Sequence, residues 1–474
     1  MGISEVKTPY YEFFRIEREM NLFALQYRGV NYWQLIRFGL LKGITVKDLS
    51  IVSVSGNRNY KNEIIMTFKE AKRMRRKYSD ISKADIVRIR PCVTVTKDNH
   101  LDDHQFDYIS LKDKYEVLDL YALGDYTDVN ECVRYDLAQA ENELIRWKIK
   151  RRLFGESQFP IIQKKTLEEF LDKVNAIYGT SFSIESLLHT VQYSIQCHKV
   201  YKKWFLKYFK QICPKLIMEY PHYDEHMFAA NDAARELGIK VIEMQHGRIN
   251  AHEAYWYEDQ SQIGKLLPDY FFTYGEWWNK QINMPRFCRV IPVGNAYLDK
   301  QVGIYKKVKN DHLVISVFSN PQNGRTLLEF MYNIQDYCLE NNIEILYKLH
   351  PNEGKVWKTE YPILSEMKNT TVYDSGSVYD VLSRSDVTIG VNSTVFFEAL
   401  AYENLQIYIY TVGDYEGMKP LLENKMATAV LTPDEFIGKI CGLEPCKTKS
   451  NPGKGLWKNN AEECICEELN CILK

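Results

Sequence analysis

Two short segments in the last third of the chain carry polar side chains that could bind a phosphate. The segment KLHPNE (348–353) places His350 shortly after the apolar run IEILY, and GVNSTVFFEAL (390–400) places Ser393 shortly after DVTIG. Both apolar runs predict buried parallel strands, and ligands of open α/β sheets bind beyond the carboxyl ends of such strands. We therefore expect both side chains at one edge of one sheet.

The serine segment also predicts a helix over 394–403, with Asn392 or Ser393 as its N-cap and Thr394 in its first turn. The free N–H groups and the dipole at a helix N-terminus attract phosphate, although Ser393 could equally serve only as a cap. Glu398, one turn further on, could accept ribose hydroxyls or simply interact with the helix dipole. Together the two segments predict a site for a nucleotide monophosphate or diphosphate.

A further histidine follows a predicted strand earlier in the chain. The segment MQHG (244–247) places His246 at the end of KVIEM, and His222 follows the strand PKLIMEY. His222 and His226 are four residues apart, a spacing that can bind a metal. With no third ligand nearby, we expect His222 to line a cleft and predict no metal.

Alternating strands and helices from about residue 190 predict βαβ units with parallel sheets. One set contains PKLIMEY, KVIEM, DYFFTYG and CRVIPVGN, and a second contains HLVISVFS, IEILYKL, TTVYD, DVTIGV and QIYIYT, with helices predicted over 324–340 and 377–385 in the second set. A lysine-rich stretch without a core pattern follows Gly294. We predict an α/β protein of two Rossmann-like doubly wound domains, 1–300 and 301–474, separated by a cleft, with an irregular first 150 residues.

The composition is that of an ordinary globular protein. The 474 residues are 45% hydrophobic and 26% charged, and the formal net charge of −1 gives no reason to expect a nucleic acid partner. No apolar run approaches 18 residues and the N-terminus does not resemble a signal peptide, which predicts a cytoplasmic protein. The eleven cysteines, an odd number, are mostly scattered and match no paired zinc pattern, so we expect reduced thiols.

Four motifs, considered together, resemble those of bacterial GT-B glycosyltransferases, in the group that includes sialyltransferases, Kdo transferases and CDP-glycerol glycerophosphotransferases. KLHP (348–351) resembles the HP motif of sialyltransferases, and VNSTVFFEAL (391–400) resembles their serine motif. MQHG (244–247) resembles the histidine-glycine turn of capsule and teichoic-acid transferases, and VGNAYLD (293–299) resembles the segment that leads into their C-terminal domain. The resemblance covers about residues 214 to 410.

The resemblance implies transfer of a sugar or polyol phosphate from a nucleotide-activated donor, of the cytidine type, to a surface-polysaccharide acceptor. His350 and Ser393 would bind the donor phosphate with Thr394 close by, and His246 would be the general base. A histidine, a hydroxyl and helix N–H groups can stabilise the leaving phosphate without a metal, so no cofactor is expected.

The sialyltransferases use an acidic Asp/Glu-Asp/Glu-Gly motif that has no clean copy here, since Asp224-Glu225 lacks the glycine. This pair remains the second choice for the base. Further side chains expected to line the site are His222, Asp224, Glu225, Asn320 and Asn392.

Two other functions remain open at this stage. A UDP-GlcNAc 2-epimerase shares the two-domain fold, but those enzymes usually carry a Gly-Gly pair where this chain has residues 392–394 (Asn-Ser-Thr). A non-catalytic glycan-binding subunit is the third alternative, which the retained polar residues disfavour.

Three basic stretches, 69–77, 146–152 and 198–210, predict either solvated helix faces or a surface that meets an anionic acceptor or anionic lipid on the cytoplasmic face of a membrane. The third stretch is the best candidate for lipid because aromatic residues accompany its lysines. It could equally be an ordinary amphipathic helix that covers the sheet.

Overall fold

A computed structural model describes residues 10–47, 82–90, 94–95, 101–121, 133–134, 137–154, 159–249, 254–258, 263, 266–445 and 453–474. The chain divides into two compact units, one of residues 1–293 with 462–474 and the other of residues 294–461. The basic stretch 69–77 lies outside the described residues. None of the helices within the described ranges is long and apolar enough to cross a lipid bilayer.

The first unit contains a seven-stranded parallel sheet and two short antiparallel pairs. The strands are β1 (Gln26–Tyr27), β2 (Val30–Asn31), β3 (Ile86–Arg90), β4 (Thr94–Val95), β5 (Leu101–Asp102), β6 (Val117–Tyr121), β7 (Val133–Arg134), β8 (Leu216–Glu219), β9 (Lys240–Met244), β10 (Tyr270–Thr273) and β11 (Arg289–Pro292). In the large sheet their order is β11-β10-β9-β8-β3-β6-β7, and all six neighbouring pairs are parallel. Strands are therefore added on both sides of β3, which is the doubly wound arrangement.

Helices surround this sheet, as a parallel sheet with two buried faces requires. Their bounds are Tyr11–Glu19, Trp33–Val46, Leu137–Phe154, Ile161–Tyr178, Ile184–Ile212, Glu225–Glu236, Glu276–Asn279 and Ala461–Leu473, with a 3₁₀ turn at Leu22–Ala24.

The helix Ile184–Ile212 contains the third basic stretch. Its aromatic side chains Trp204, Phe205, Tyr208 and Phe209 are all buried and pack in one core with residues of the sheet. The stretch is thus an amphipathic helix that covers the sheet. These four aromatic side chains are therefore not exposed on the helix surface beside its lysines.

The second unit contains a six-stranded sheet in which every neighbouring pair is parallel. Its strands are β12 (Val314–Phe318), β13 (Glu344–Lys348), β14 (Thr370–Tyr373), β15 (Val387–Gly390), β16 (Gln406–Tyr410) and β17 (Thr428–Val430), in the order β14-β13-β12-β15-β16-β17. Counted along the chain, this is the order 3-2-1-4-5-6 of dinucleotide-binding folds. The prediction of two Rossmann-like doubly wound domains is confirmed.

The helices of the second unit are shorter than the sequence pattern indicates. They span Ala296–Ile304, Gly324–Asn333, Gln335–Glu340, Trp357–Glu360, Val378–Arg384, Val395–Ala399, Lys419–Glu423 and Pro433–Ile440, with 3₁₀ turns at Pro362–Ser365 and Glu416–Met418. The predicted helix 324–340 is divided at Ile334, whose N–H bonds the carbonyl of Met331, three residues back.

The boundary between the two units lies between residues 293 and 294, not at the predicted position between 300 and 301. The second unit begins at Gly294, and the first part of the lysine-rich stretch forms a helix, Ala296–Ile304, that belongs to it. Only Leu298 is buried in that helix, which is why no core pattern marked it.

The last helix also departs from the predicted division, since residues 462–474 belong to the first unit. There the hydroxyl of Tyr115 donates to Asn470 Oδ1 (2.6 Å), and the N–H of Ser110 donates to Glu462 Oε1 (2.8 Å).

Candidate functional site

The second sheet changes its direction of growth between β12 and β15. From β12 the chain adds β13 and β14 on one side, and from β15 it adds β16 and β17 on the other. The chain therefore leaves these two central strands in opposite directions, and folds of this kind bind their ligands at such a switch point. The predicted residues Asn320, Asn392 and Ser393 lie in these two loops.

A single amide side chain ties the two loops together. Asn320 Nδ2 donates to the carbonyl of Asn392 (3.0 Å), while Asn320 Oδ1 accepts from the N–H groups of Gln322 (3.1 Å) and Asn323 (2.9 Å). The first bond joins the loops after β12 and β15, and the other two fix a turn within the first loop. The structure therefore brings Asn320 and Asn392 together at the switch point.

The serine segment forms a shorter helix than predicted. The helix is Val395–Ala399, Thr394 occupies its N-cap position without a side-chain bond, and Ser393 Oγ instead accepts from the N–H of Val395 (3.3 Å). From Leu400 onward the N–H groups bond carbonyls three residues back, so the helix tightens and ends before 403. The predicted helix bounds of 394–403 are therefore wrong, since the helix has only the five residues Val395–Ala399.

Glu398 already has a partner within the second unit. The hydroxyl of Tyr379 donates to Glu398 Oε2 (2.5 Å), and Tyr379 lies in the first turn of the helix Val378–Arg384. Burial raises the pKa of Glu398, and the bond from Tyr379 opposes that effect. Sequence reasoning missed Tyr379, because its contact with Glu398 joins elements that follow different strands.

His350 lies in the loop after β13, the strand next to β12. Its ring Nδ1 accepts from the backbone N–H of Asn352 (3.2 Å), and the backbone N–H of His350 donates to Glu353 Oε2 (3.0 Å). A neutral imidazole that accepts at Nδ1 carries its proton on Nε2. The half-exposed ring therefore presents an N–H donor, which is the group an anion requires.

A lysine precedes His350 in the same segment. Lys348 is 5% exposed, and its Nζ donates to the carbonyl of Leu349 (3.3 Å). Burial lowers the pKa of Lys348, although the charge of Asp374 opposes this. The signal in the sequence was a lysine at the end of an otherwise apolar strand.

In the first unit, His246 follows β9 near the middle of the sheet. Its ring stacks on Tyr220, with centroids 5.8 Å apart, and Nε2 lies 3.3 Å from the hydroxyl of Tyr223. Within the described ranges, no group bonds the buried Nδ1. Burial lowers the pKa of His246, and the neighbouring His222 lowers it further against the opposing charge of Glu243. Such a histidine stays neutral at neutral pH and can accept a proton.

Gln245 holds the turn that carries His246. Its Nε2 donates to the carbonyl of Gly247 (2.8 Å), and its Oε1 accepts from the N–H of Tyr274 (2.8 Å), which follows the adjacent strand β10. The side chain is 1% exposed, so these bonds compete with little water. The glutamine of MQHG thus braces the turn, a role that the sequence did not reveal.

His222 is fully buried and does not line an open surface. Its Nδ1 lies 2.7 Å from Glu243 Oε2 and its Nε2 lies 3.2 Å from the hydroxyl of Tyr257. Glu243 is paired in register with Glu219 on β8, and burial together with the charge of Glu243 raises the pKa of Glu219 well above its usual value. His222 is thus bonded to Glu243 and Tyr257 inside the unit, whereas the buried Oε2 of Glu219 has no hydrogen-bond partner within the described ranges.

Asp224 caps the helix Glu225–Glu236. Its Oδ1 accepts from the N–H of His226 (2.8 Å) and lies 2.9 Å from His226 Nδ1. Burial raises the pKa of Asp224, but the bonds and charge of His226 outweigh it and the net pKa is lowered. The acidic pair 224–225 is thus a helix N-terminus, and His226 is committed to the cap.

Comparison with known proteins finds similarity only at the level of solved structures. No protein-family model matches the chain, and no curated protein sequence matches it. The chain is similar to a UDP-N-acetylglucosamine 2-epimerase described as putative, from Listeria monocytogenes, with 10% identity over 82% of this chain and 96% of that one and a TM-score of 0.48.

Glycosyltransferases are also similar to the chain. The glycosyltransferase of kitacinnamycin has 10% identity over 83% of this chain and 100% of that one, with a TM-score of 0.45. A glycosyltransferase from Rickettsia africae has 12% identity over 83% and 96%, with a TM-score of 0.41. Similarities this low assign no activity, and the fold assignment rests on the two parallel sheets themselves.

Proposed function

We propose that the chain is a GT-B glycosyltransferase that moves a sugar or a polyol phosphate from a nucleotide-activated donor to a surface-polysaccharide acceptor. The observation that carries the proposal is the switch point of the second sheet. There Asn320 ties the loop after β12 to the loop that contains Ser393, and His350 on the next strand presents an N–H donor. Hydrogen-bond donors at such a switch point suit a nucleotide phosphate.

In this proposal the donor nucleotide, of the cytidine type, binds the second unit. His350 Nε2 and the hydroxyls of Ser393 and Thr394 donate to the phosphate, and Glu398, whose Oε2 is oriented by Tyr379, accepts a ribose hydroxyl. The transfer breaks the bond between the transferred group and the nucleotide phosphate. These donors then stabilise the charge that develops on the leaving phosphate, without a metal ion.

The acceptor requires a base, and His246 is proposed for that role. Its buried, neutral imidazole takes the proton of an acceptor hydroxyl as the oxygen attacks the donor. The braced turn of Gln245 supports this assignment, since a general base must be held in a fixed position.

The first test is thermal unfolding in the presence of CMP, CDP, UDP or GDP. A ligand that binds only the folded protein stabilises it by about 2.7 kcal/mol at 100 times its dissociation constant. We expect a rise in Tm with cytidine nucleotides, reduced in His350→Ala. The matched control is His312→Ala, a histidine of the same unit that pairs with Asp311 and Glu344 at the opposite end of the sheet. If none of the four nucleotides shifts Tm, or if both variants behave alike, the donor site is refuted.

Product analysis separates the transferase from an epimerase. Incubation with UDP-GlcNAc alone would yield the 2-epimer if the chain were an epimerase, whereas a transferase needs an acceptor to consume its donor. Nucleotide binding without turnover of any donor would favour the non-catalytic glycan-binding subunit.

A further inference from the structure

A carboxylate at the end of the KLHPNE segment is buried at the centre of a hydrogen-bond cluster. Glu353 is 2% exposed, and its Oε1 accepts from the hydroxyls of Ser319 (3.0 Å) and Tyr361 (2.9 Å). Its Oε2 accepts from the backbone N–H of His350 (3.0 Å). Both oxygens of this buried carboxyl group thus accept hydrogen bonds, which is what the burial of a polar group requires.

The donors come from three separate segments. Ser319 follows β12, His350 follows β13, and Tyr361 lies just before the 3₁₀ turn at Pro362–Ser365. The space around the carboxylate is closed by Gly324, where an added Cβ would lie 2.5 Å from both Glu353 Oε1 and the hydroxyl of Tyr361. The cluster therefore joins the loop after β13, which carries His350, to the loop after β12.

Glu353 also makes two hydrogen bonds within the loop that carries His350. The backbone N–H of Glu353 donates to the backbone carbonyl of His350 (2.8 Å). The Glu353 carboxylate accepts in turn from the backbone N–H of His350 (3.0 Å). These two bonds hold a turn in which the N–H of Asn352 points to His350 Nδ1 (3.2 Å). The conformation of this turn decides which ring nitrogen of His350 carries the proton.

We propose that Glu353 is a positioning residue that fixes the orientation and the Nε2–H tautomer of His350, so that the imidazole can donate to the phosphate of the nucleotide. The inference rests on the proposed function for the phosphate. The part that concerns the ring itself holds independently of any ligand. Glu353 does not contact the nucleotide in this account and acts only through His350.

The first experiment reads the tautomer directly in the ligand-free protein. Long-range ¹H–¹⁵N spectra of ¹⁵N-histidine-labelled protein distinguish a ring protonated at Nε2 from one protonated at Nδ1, and His350→Ala assigns the signals. We expect the Nε2–H form in the wild type and a mixture of tautomers in Glu353→Ala. Glu353→Gln should retain the wild-type form. Its amide oxygen can accept from the backbone N–H of His350, while the hydroxyls of Ser319 and Tyr361 turn to accept from its NH₂ group.

The control is Glu360→Gln, which alters an exposed glutamate at the end of the helix Trp357–Glu360 that pairs with Arg325. It should leave the His350 signals unchanged. A wild-type tautomer in folded Glu353→Ala, or a mixture of tautomers in the wild type, would overturn the inference whether or not any nucleotide binds.

The second experiment is a double-mutant cycle on nucleotide affinity. We expect Glu353→Ala to weaken binding of the cytidine nucleotide by a factor of about 3 to 10, the loss of roughly one hydrogen bond, and to add nothing in a His350→Ala background. Additive losses would mean that Glu353 acts independently of His350 and would refute the inference. Unchanged affinity in His350→Ala itself would refute the proposed phosphate site instead, and the tautomer measurement would still decide the role of Glu353.

Discussion

At the scale of single residues, the two histidines that the sequence singled out differ in surroundings in a way that suits different tasks. His350 is half-exposed and presents a donor, because the N–H of Asn352 occupies its Nδ1. His246 is held between Tyr220 and Tyr223, and burial lowers its pKa. A donor to phosphate must keep its proton and a general base must lack one, so the local structure of each histidine matches its proposed role.

Replacement of His246 tests its role as the base. We expect His246→Ala and His246→Gln to lose about 10²–10⁴ of the transfer rate while nucleotide affinity stays near the wild-type value. Steady-state turnover and nucleotide titration of the folded variants provide the measurement. Activity within a few-fold of the wild type would exclude His246, and Asp224 would not replace it easily, since that carboxylate caps a helix.

The pH dependence of the rate follows from the same pKa. The neutral imidazole is the active form, so the rate falls as pH drops through the pKa of His246. Because burial places this pKa below the ordinary value of 6.5, the acidic limb of the profile should lie below pH 6.5 in the wild type. The limb should be absent from the residual rate of His246→Gln. A wild-type limb above pH 6.5 would contradict the assignment.

Ser393→Ala separates a structural role from phosphate binding. The lost bond to the N–H of Val395 should lower the free energy of unfolding by about 0.5–1 kcal/mol, measured by urea denaturation. If Ser393 also binds phosphate, turnover per folded molecule falls as well. Thr394→Ala is the comparison, since Thr394 makes no capping bond and should reduce turnover without the loss of stability.

At the scale of elements, the loops after β12, β13 and β15 form one connected structure. Asn320 links the first to the third, and Glu353 links the first to the second. The sequence correctly predicted that His350 and Ser393 follow strands of one sheet, because continuous apolar runs identify buried parallel strands. These strands, β13 and β15, lie on either side of β12. The sequence did not reveal the links, since a buried glutamate and an exposed one look alike in a sequence.

Two glycines test how tightly these loops are packed. Gly324→Ala places a Cβ 2.5 Å from Glu353 Oε1 and the hydroxyl of Tyr361, so we expect lower stability and weaker nucleotide binding. Gly303→Ala is the matched control, because it lies in the helix Ala296–Ile304 with no atom within 4 Å of the new Cβ. It should be neutral or stabilising by about 0.5–1 kcal/mol. Urea denaturation and calorimetry measure both, and equal effects would contradict the packing argument.

At the scale of the whole molecule, the chain builds its second unit from one continuous stretch and then returns to the first. The last helix, Ala461–Leu473, buries Ile465 and Leu469 and bonds the segment around Ser110 and Tyr115. The first unit is therefore completed by residues 462–474, which follow the whole second unit in the chain.

Leu469→Ala tests the contribution of this helix to the first unit. We expect a loss of about 2–5 kcal/mol in the free energy of unfolding of the first unit, because the substitution leaves a cavity in a fully buried position. Amide hydrogen exchange should quicken in β6 and change little in β12. Cys471→Ser, at an exposed position of the same helix, is the control. Equal loss of protection in both sheets would contradict the assignment of this helix.

The sequence by itself determined the parallel strands β8 to β16, the fold class and the strand ends at which His246, His350 and Ser393 stand, because these depend on local apolar patterns that survive without tertiary information. The tertiary structure alone decided the strand order, the tie from Asn320 to Asn392, the burial of His222 with Glu243, and the return of residues 462–474 to the first unit. It also decided the length of the helix Val395–Ala399. Apart from this helix length, these features join residues far apart in the chain, and such contacts leave no periodic trace in the sequence.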